Sequence, residues 1–152
     1  MSLEIGQLAP SFELRVDENK TVNLADYQGK KLVLYFYPAD DTPGCTLESC
    51  GFRDYYPKIK NLGAEILGVS QDDLESHKKF KTKYSLPFDL GADEDGKVCR
   101  LYQALGQKES SKSKEFSRST FIIDETGHIK NWWPKVTVSG HLSEVLTALK
   151  AN

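Results

Sequence analysis

Two cysteines, Cys45 and Cys50, lie five residues apart in the segment YFYPADDTPGCTLESCGFRDY, residues 35–55. The residues before Cys45 are typical of a helix start, with Thr42 as the cap and Pro43 at the first helical position. Cys45 is therefore expected in the first turn, where unpaired backbone N–H groups and the helix dipole favour thiolate over thiol. Such a position can lower the pKa of a cysteine from ~8.5 to roughly 3.5–7.5. We predict that Cys45 is a nucleophile; the alternative is a small residue of the core.

The cysteines leave few classes of chemistry open. A permanent disulfide framework is not expected, because the reducing cytosol keeps structural thiols reduced. A zinc site would need four ligands, and the histidines are scattered along the chain at His77, His128 and His141. A thioredoxin-type disulfide exchanger would separate its cysteines by two residues, whereas four lie between Cys45 and Cys50. Redox chemistry and core packing remain, and neither a metal nor an organic cofactor is expected.

The composition argues against several kinds of partner. A chain of 152 residues with 39% hydrophobic side chains has the size of one ordinary domain, so a single domain is expected over residues 1–152. Twenty Lys and Arg against 22 Asp and Glu give a formal charge of -2, which indicates neither a nucleic acid nor a charged membrane as partner. The start, MSLEIGQLAPSFEL, lacks the features of a secretory signal. The longest apolar run, LVLYFYPA, is well short of the ~18 residues of a spanning helix. A cytoplasmic protein is therefore expected.

The hydrophobic pattern predicts strands that alternate with helices. KLVLYFY (Lys31–Tyr37) and AEILGVS (Ala64–Ser70) are near-continuous apolar runs, typical of strands buried on both faces. Shorter strands are expected at Thr21–Leu24 and Phe88–Leu90, and STFIID and HIKNWW flank ETG in the pattern of a hairpin. Apolar residues at helical spacing predict helices over residues 45–62 and 74–84, in EDGKVCRLYQALG and in SGHLSEVLTALKA. This order implies an α/β fold of the thioredoxin-like class, a central mixed β-sheet flanked by helices.

Local signals refine these helices. Pro57 is expected to kink or break the first helix, and Asp72 or Asp73 is expected to cap the second. One face of the third helix would carry Val98, Leu101, Tyr102 and Leu105. Gly106 stands where this helix would end. The polar stretch QKESSKSKEFSR, Gln107–Arg118, predicts a mobile loop.

The segment FYPADDTPGCTLESCGFRD resembles the active-site segment of the peroxiredoxins, in particular of the peroxiredoxin Q (bacterioferritin comigratory protein) subgroup. Similarity to this family extends from GQLAPSFEL near the start, through RSTFIID, to GHLSEVLTALK near the end. The resemblance implies a thioredoxin-like fold. It also implies a thiol peroxidase that reduces hydrogen peroxide and organic hydroperoxides in antioxidant defence.

The same resemblance implies roles for individual residues. Cys45 would be the peroxidatic cysteine, which attacks the O–O bond of a hydroperoxide and becomes a sulfenic acid. Thr42 would hydrogen-bond the thiolate and the peroxide, and Pro38 would shield the sulfur from water. Arg118 matches the family arginine, whose positive fork stabilises the thiolate and the charge on the departing oxygen; otherwise it is a solvated charge. Glu48 matches the position that orients this arginine; otherwise it is an exposed helix residue.

Cys50 matches the local resolving cysteine of the subgroup, which attacks the sulfenic acid to form an intramolecular disulfide; the alternative is a buried helix cysteine. A thioredoxin-type or glutaredoxin-type reductant would then reduce that disulfide. Cys99 is expected to pack in a core, and it is also the alternative resolving cysteine. We expect a monomer, with a dimer as the alternative. Two other functions stay open: a redox-sensing thiol switch and a thioredoxin-like disulfide exchanger.

Overall fold

The computed structural model describes residues 3–105 and 116–151. Its strands are β1 (Glu13–Asp17), β2 (Lys20–Asn23), β3 (Lys31–Phe36), β4 (Ala64–Ser70), β5 (Asp89–Ala92), β6 (Ser119–Ile123) and β7 (Ile129–Trp133). Its helices are α1 (Pro43–Asn61), α2 (Leu74–Tyr84), α3 (Lys97–Leu101) and α4 (His141–Ala151), with a 3-10 turn at Leu24–Tyr27. Within these residues, no helix is both long and apolar enough to cross a membrane.

The seven strands form one sheet in the order β2-β1-β5-β4-β3-β6-β7. Strand β3 runs parallel to β4 and antiparallel to β6, and β6 and β7 form the expected hairpin. All six residues of β3 are buried, because both faces of the sheet are covered. The predicted mixed sheet flanked by helices is confirmed.

The two faces of β3 belong to two hydrophobic clusters, since successive strand residues point to opposite sides. Leu34 and Phe36 pack into a cluster that includes Val98 and Cys99 of α3. Val33, Tyr35 and Tyr37 pack into the other, whose helix residues come from α1, α2 and α4: Cys45, Phe52, Ile59, Phe80, Val145 and Leu149. We call this second side the α1 face of the sheet. Cys45 and Cys99 therefore lie on opposite faces.

Several element boundaries differ from the sequence-based expectations. Strand β1 was not expected. Its residues alternate between exposed and buried, and they pair with β2. Strand β2 spans Lys20–Asn23, one residue earlier than the expected strand at Thr21–Leu24. The expected break at Pro57 is wrong, because α1 continues across it. Phe52 and Ile59, fully buried on either side of Pro57, hold both halves of α1 against the sheet. This packing outweighs the loss of one backbone hydrogen bond at the proline.

Helix α3 is shorter than expected, and Leu101 does not share its buried face. The carboxylate of Asp93 accepts hydrogen bonds from the N–H groups of Val98 and Cys99, which fixes the start of the helix. The chain then turns away at Gln103, whose φ is 60°, and Leu101 is left 42% exposed. The expected stop at Gly106 and most of the expected loop at Gln107–Arg118 lie outside the described residues.

Candidate active site

The first turn of α1 presents Cys45 at the positive end of the helix. Thr42 is the N-cap with extended backbone angles, Pro43 follows inside the helix, and no acidic residue occupies the first turn. The Thr42 hydroxyl does not cap the helix; it donates to the Ala39 carbonyl at 3.2 Å. The N–H groups of the turn and the helix dipole are thus available to stabilise an anion at Cys45.

Arg118 brings a second positive charge to the sulfur. It lies directly before β6, the strand beside β3, and its Nη2 donates to Cys45 Sγ at 3.3 Å. The Cys45 side chain is 1% exposed, so little water screens this contact. Gly44 leaves room for the guanidinium, because a Cβ at this position would lie 3.3 Å from Nη2. The sequence TPGC thus provides both the helix start and the space for the arginine.

Glu48 orients this arginine from the same face of α1 as Cys45. Its Oε1 accepts a hydrogen bond from Arg118 Nη1 at 2.7 Å, and its side chain is 0% exposed. Burial alone would lower the pKa of Arg118, but Glu48 and Cys45 together raise it, so the guanidinium stays charged. The alternative of Glu48 as an exposed residue is wrong. Cys45, Glu48 and Arg118 form one connected group, called here the thiol site.

Burial of the Glu48 carboxyl disfavours its charged form. Burial raises its pKa from the ordinary value of 4.5 to about 7, and Arg118 only partly offsets this. Its second oxygen, Oε2, has no hydrogen-bond partner among the described residues. Compared with the unfolded chain, the folded site binds the carboxyl proton more tightly. The stability that this contributes is fully present below pH 4.5 and is lost as the pH rises through about 7.

Replacing Glu48 with glutamine should remove this pH dependence. Relative to Glu48→Gln, the free energy of unfolding of the native protein should fall by roughly 3 kcal/mol between pH 4.5 and pH 8. Denaturant unfolding of both proteins across this range measures the difference. Glu94→Gln, at an exposed position, serves as the matched control and should follow the native profile. Parallel profiles for the native protein and Glu48→Gln would contradict the assignment of the raised pKa to Glu48.

A contact that the sequence did not indicate holds the second turn of α1 on the sheet. The hydroxyls of Tyr35 and Ser49 lie 2.9 Å apart, and both side chains are fully buried. Gly68 on the neighbouring strand makes room for the phenol, since a Cβ there would lie 2.7 Å from the Tyr35 ring. A tyrosine within the apolar run LVLYF was the available signal for such a contact, because a buried phenol needs a hydrogen-bond partner.

The remaining candidate residues lie in different surroundings. Cys50 is half-buried in the same helix as Cys45, and both thiols are free. Cys99 is 0% exposed, and burial, reinforced by Asp93, raises the pKa of its thiol far above the ordinary range. Pro38 is exposed in the loop that precedes Thr42. The structure thus brings Cys45, Glu48 and Arg118 together and keeps Cys99 on the other face of the sheet.

Comparisons with known proteins show the family to which the chain belongs. The AhpC/TSA family profile matches residues 5–132. Peroxiredoxin Bcp of Bacillus subtilis is 47% identical over 99% of this chain and 97% of the relative. The chain belongs to the peroxiredoxins of the AhpC/TSA family. The names of its relatives place this peroxiredoxin in the Bcp, or peroxiredoxin Q, subgroup.

Solved peroxiredoxin structures share the fold. A cysteine mutant of Xylella fastidiosa PrxQ superposes with a TM-score of 0.91 at 35% identity, and the match covers 99% of this chain and 98% of that one. The bacterioferritin comigratory protein of Xanthomonas campestris, studied for alkyl peroxide reduction, has a TM-score of 0.85 at 37% identity. That match covers 92% of this chain and 90% of the other. The predicted thioredoxin-like fold of the peroxiredoxins is confirmed.

Proposed function

We propose that this peroxiredoxin is a thiol peroxidase that reduces hydrogen peroxide and organic hydroperoxides with Cys45 as the nucleophile. The observation that carries the proposal is the position of Cys45 Sγ, buried at a helix start and 3.3 Å from Arg118 Nη2. The helix start and the guanidinium both place positive charge beside the sulfur that reacts with the peroxide. The Xanthomonas campestris relative, studied for alkyl peroxide reduction, supports organic hydroperoxides as one substrate class.

In the first step the Cys45 thiolate attacks one peroxide oxygen. A sulfur–oxygen bond forms and the O–O bond breaks, which leaves Cys45 as a sulfenic acid and releases water or an alcohol once the departing oxygen is protonated. Negative charge moves from sulfur to the departing oxygen, and Arg118, 3.3 Å from Cys45 Sγ, would stabilise that charge as it develops. Because the Thr42 hydroxyl donates its own proton to the Ala39 carbonyl, it would accept a hydrogen bond from the peroxide. Pro38 would help to exclude water from the sulfur.

In the second step Cys50 attacks the sulfenic acid, which forms a Cys45–Cys50 disulfide and releases water. Both residues lie inside α1. On a regular helix, a separation of five residues puts the Cα atoms roughly 8.7 Å apart on nearly opposite sides. A disulfide tolerates only ~4.4–6.8 Å between Cα atoms. The start of α1 must therefore unwind each time the disulfide forms.

Cys99 is assigned to the core and not to the resolving step. It lies on the face of the sheet opposite the thiol site, and its raised pKa keeps it as a thiol. Access to Cys45 would require the rearrangement of α3 as well as α1. Cys50 needs only the local unwinding.

The wider setting is also a proposal. A thioredoxin-type or glutaredoxin-type protein reduces the disulfide, and the enzyme acts in antioxidant defence in the cytoplasm. The single sheet and its helices support one domain over residues 1–152, and we propose a monomer.

A turnover assay tests the peroxidase against a sensor function. With thioredoxin, its reductase and NADPH, the protein should consume many equivalents of peroxide, because each disulfide is reduced and the cycle restarts. A redox sensor would instead consume about one equivalent and stop. That stoichiometric result, with reductant still in excess, would replace the peroxidase with the sensor.

A further inference from the structure

A buried polar group lies in the loop that connects β3 to α1, and the peroxidase chemistry does not use it. Its centre is Asp40, whose side chain is 4% exposed. Oδ1 accepts a hydrogen bond from the Tyr37 hydroxyl at 2.6 Å, and Oδ2 accepts one from the Ser76 hydroxyl at 2.8 Å. His77 Nδ1 lies 2.7 Å from Oδ2. The loop before Cys45 is thus bound to α2 through one carboxylate.

His77 connects this carboxylate to the sheet. Its side chain is 1% exposed, and its Nε2 lies 3.0 Å from the carbonyl oxygen of Gly91 in β5. A carbonyl oxygen can only accept, so Nε2 carries a proton and donates it. A further proton must lie between Nδ1 and Asp40 Oδ2, because two facing lone pairs at 2.7 Å would repel each other. The pair is therefore held by a short, buried, charge-assisted hydrogen bond.

The backbone of the loop is fixed as well. The Asp40 N–H donates to Asp72 Oδ2 at 2.8 Å, and the Ser70 hydroxyl holds that carboxylate at 2.6 Å. The next residue, Asp41, has a φ of 56°, a conformation that costs energy for a residue other than glycine. Strong local contacts at Asp40 and an ion pair from Asp41 to Lys83 at 2.7 Å maintain this turn.

These contacts are better suited to positioning than to metal binding. Asp40, Asp72 and His77 place ligand atoms within 4.8 Å of one another, as a metal site would. Each side chain already has protein partners at hydrogen-bonding distance. A bound cation would have to displace the proton between Asp40 and His77.

We propose that the Asp40–His77 pair positions Cys45, by fixing the turn from which α1 begins. Asp40 lies two residues before the N-cap Thr42, whose hydroxyl donates to the neighbouring Ala39 carbonyl. The direction of the first turn, and with it the distance from Cys45 Sγ to Arg118, depends on this turn. The inference rests on the proposed function only where it predicts a change in the rate of peroxide reduction.

Two variants and two readouts test the pair. In Asp40→Ala and His77→Gln, the rate constant for alkylation of Cys45 by iodoacetamide should fall on the order of 10-fold, because the sulfur moves relative to Arg118 and the helix start. Measurements use a Cys50→Ser, Cys99→Ser background, so that Cys45 is the reacting thiol. The second-order rate constant with peroxide should fall by a similar factor. Asp40→Asn should recover most of both rates, since its amide can donate to Nδ1 of a neutral His77.

Glu75→Ala is the matched control, because it removes an exposed carboxylate of α2 that pairs only with Lys79 among the described residues. It should change neither rate by more than about twofold. The alkylation readout needs no peroxide, so it tests the pair even if the proposed peroxidase function fails. If Asp40→Ala and His77→Gln lower the melting temperature but leave both rate constants at the control values, the pair is only structural and the proposal is wrong. Should Asp40→Ala not fold, His77→Gln and Asp40→Asn decide the question.

Discussion

Cys45→Ser is expected to abolish peroxide reduction while the fold persists. A serine hydroxyl at this position is not ionised near neutral pH, and it cannot supply the sulfur nucleophile that cleaves the O–O bond. The substitution replaces one small side chain with another of similar shape, so circular dichroism and thermal melting should stay close to those of the native protein. Peroxide consumption with thioredoxin in excess measures the loss.

Cys99→Ser is the matched control for this result. The Cys99 side chain is as deeply buried as that of Cys45, but it lies on the other face of the sheet. Turnover should therefore stay near the native value, while stability falls modestly because a hydroxyl is buried in an apolar cluster. Substantial turnover in Cys45→Ser would overturn the assignment of the nucleophile. Loss of turnover in Cys99→Ser would instead make Cys99 part of the resolving path.

Arg118→Ala should slow the reaction with peroxide by on the order of 10²-fold or more, the size typical of losing one donor that stabilises developing charge. The variant removes the donor 3.3 Å from Cys45 Sγ and leaves the buried Glu48 carboxyl without its partner. The observed loss will therefore include some rearrangement of α1. Stopped-flow measurement of the second-order rate constant with hydrogen peroxide tests the expectation.

Two further variants separate charge from geometry at Arg118. Arg118→Lys keeps a positive charge but cannot contact Cys45 and Glu48 with a planar fork, so its rate should lie between those of Arg118→Ala and the native protein. Arg15→Ala removes an exposed arginine of β1, which β5 and β4 separate from β3 in the sheet. This variant should react at the native rate. If Arg118→Ala reacts at the native rate, Arg118 does not take part in the reaction and is only a surface charge.

The helix start at Cys45 and the central strands β3 and β4 could be predicted because their signals are local. Thr42, Pro43 and Gly44 each favour one position at a strand-to-helix turn, and the apolar runs of β3 and β4 are typical of central strands. Strand β1 was missed because its alternation is short and its register depends on pairing with β2.

The rest of the site depends on contacts between distant parts of the chain. Arg118 and Glu48 are separated by 70 residues, and only the family resemblance placed them together before the structure did. Nothing in the sequence indicates that Asp40 meets His77, 37 residues away, or that Tyr35 meets Ser49. These pairs form because the sheet brings α1, α2 and β3 together. Hydrophobic periodicity predicts the elements, but it cannot specify which polar side chains meet between them.

The most direct test of the coupling between disulfide formation and unwinding of α1 is amide hydrogen exchange. It is measured across residues 42–52 in the reduced and in the peroxide-oxidised protein. In the reduced protein this segment is helical, and its hydrogen-bonded amides, from Thr46 onward, should exchange slowly. After one equivalent of peroxide, exchange should become faster across this segment, while the amides of β3 and β4 keep their protection. Cys50→Ser, which cannot form the disulfide, should show no such increase. Identical exchange across residues 42–52 in the two redox states of the native protein would contradict a Cys45–Cys50 disulfide formed by unwinding of α1.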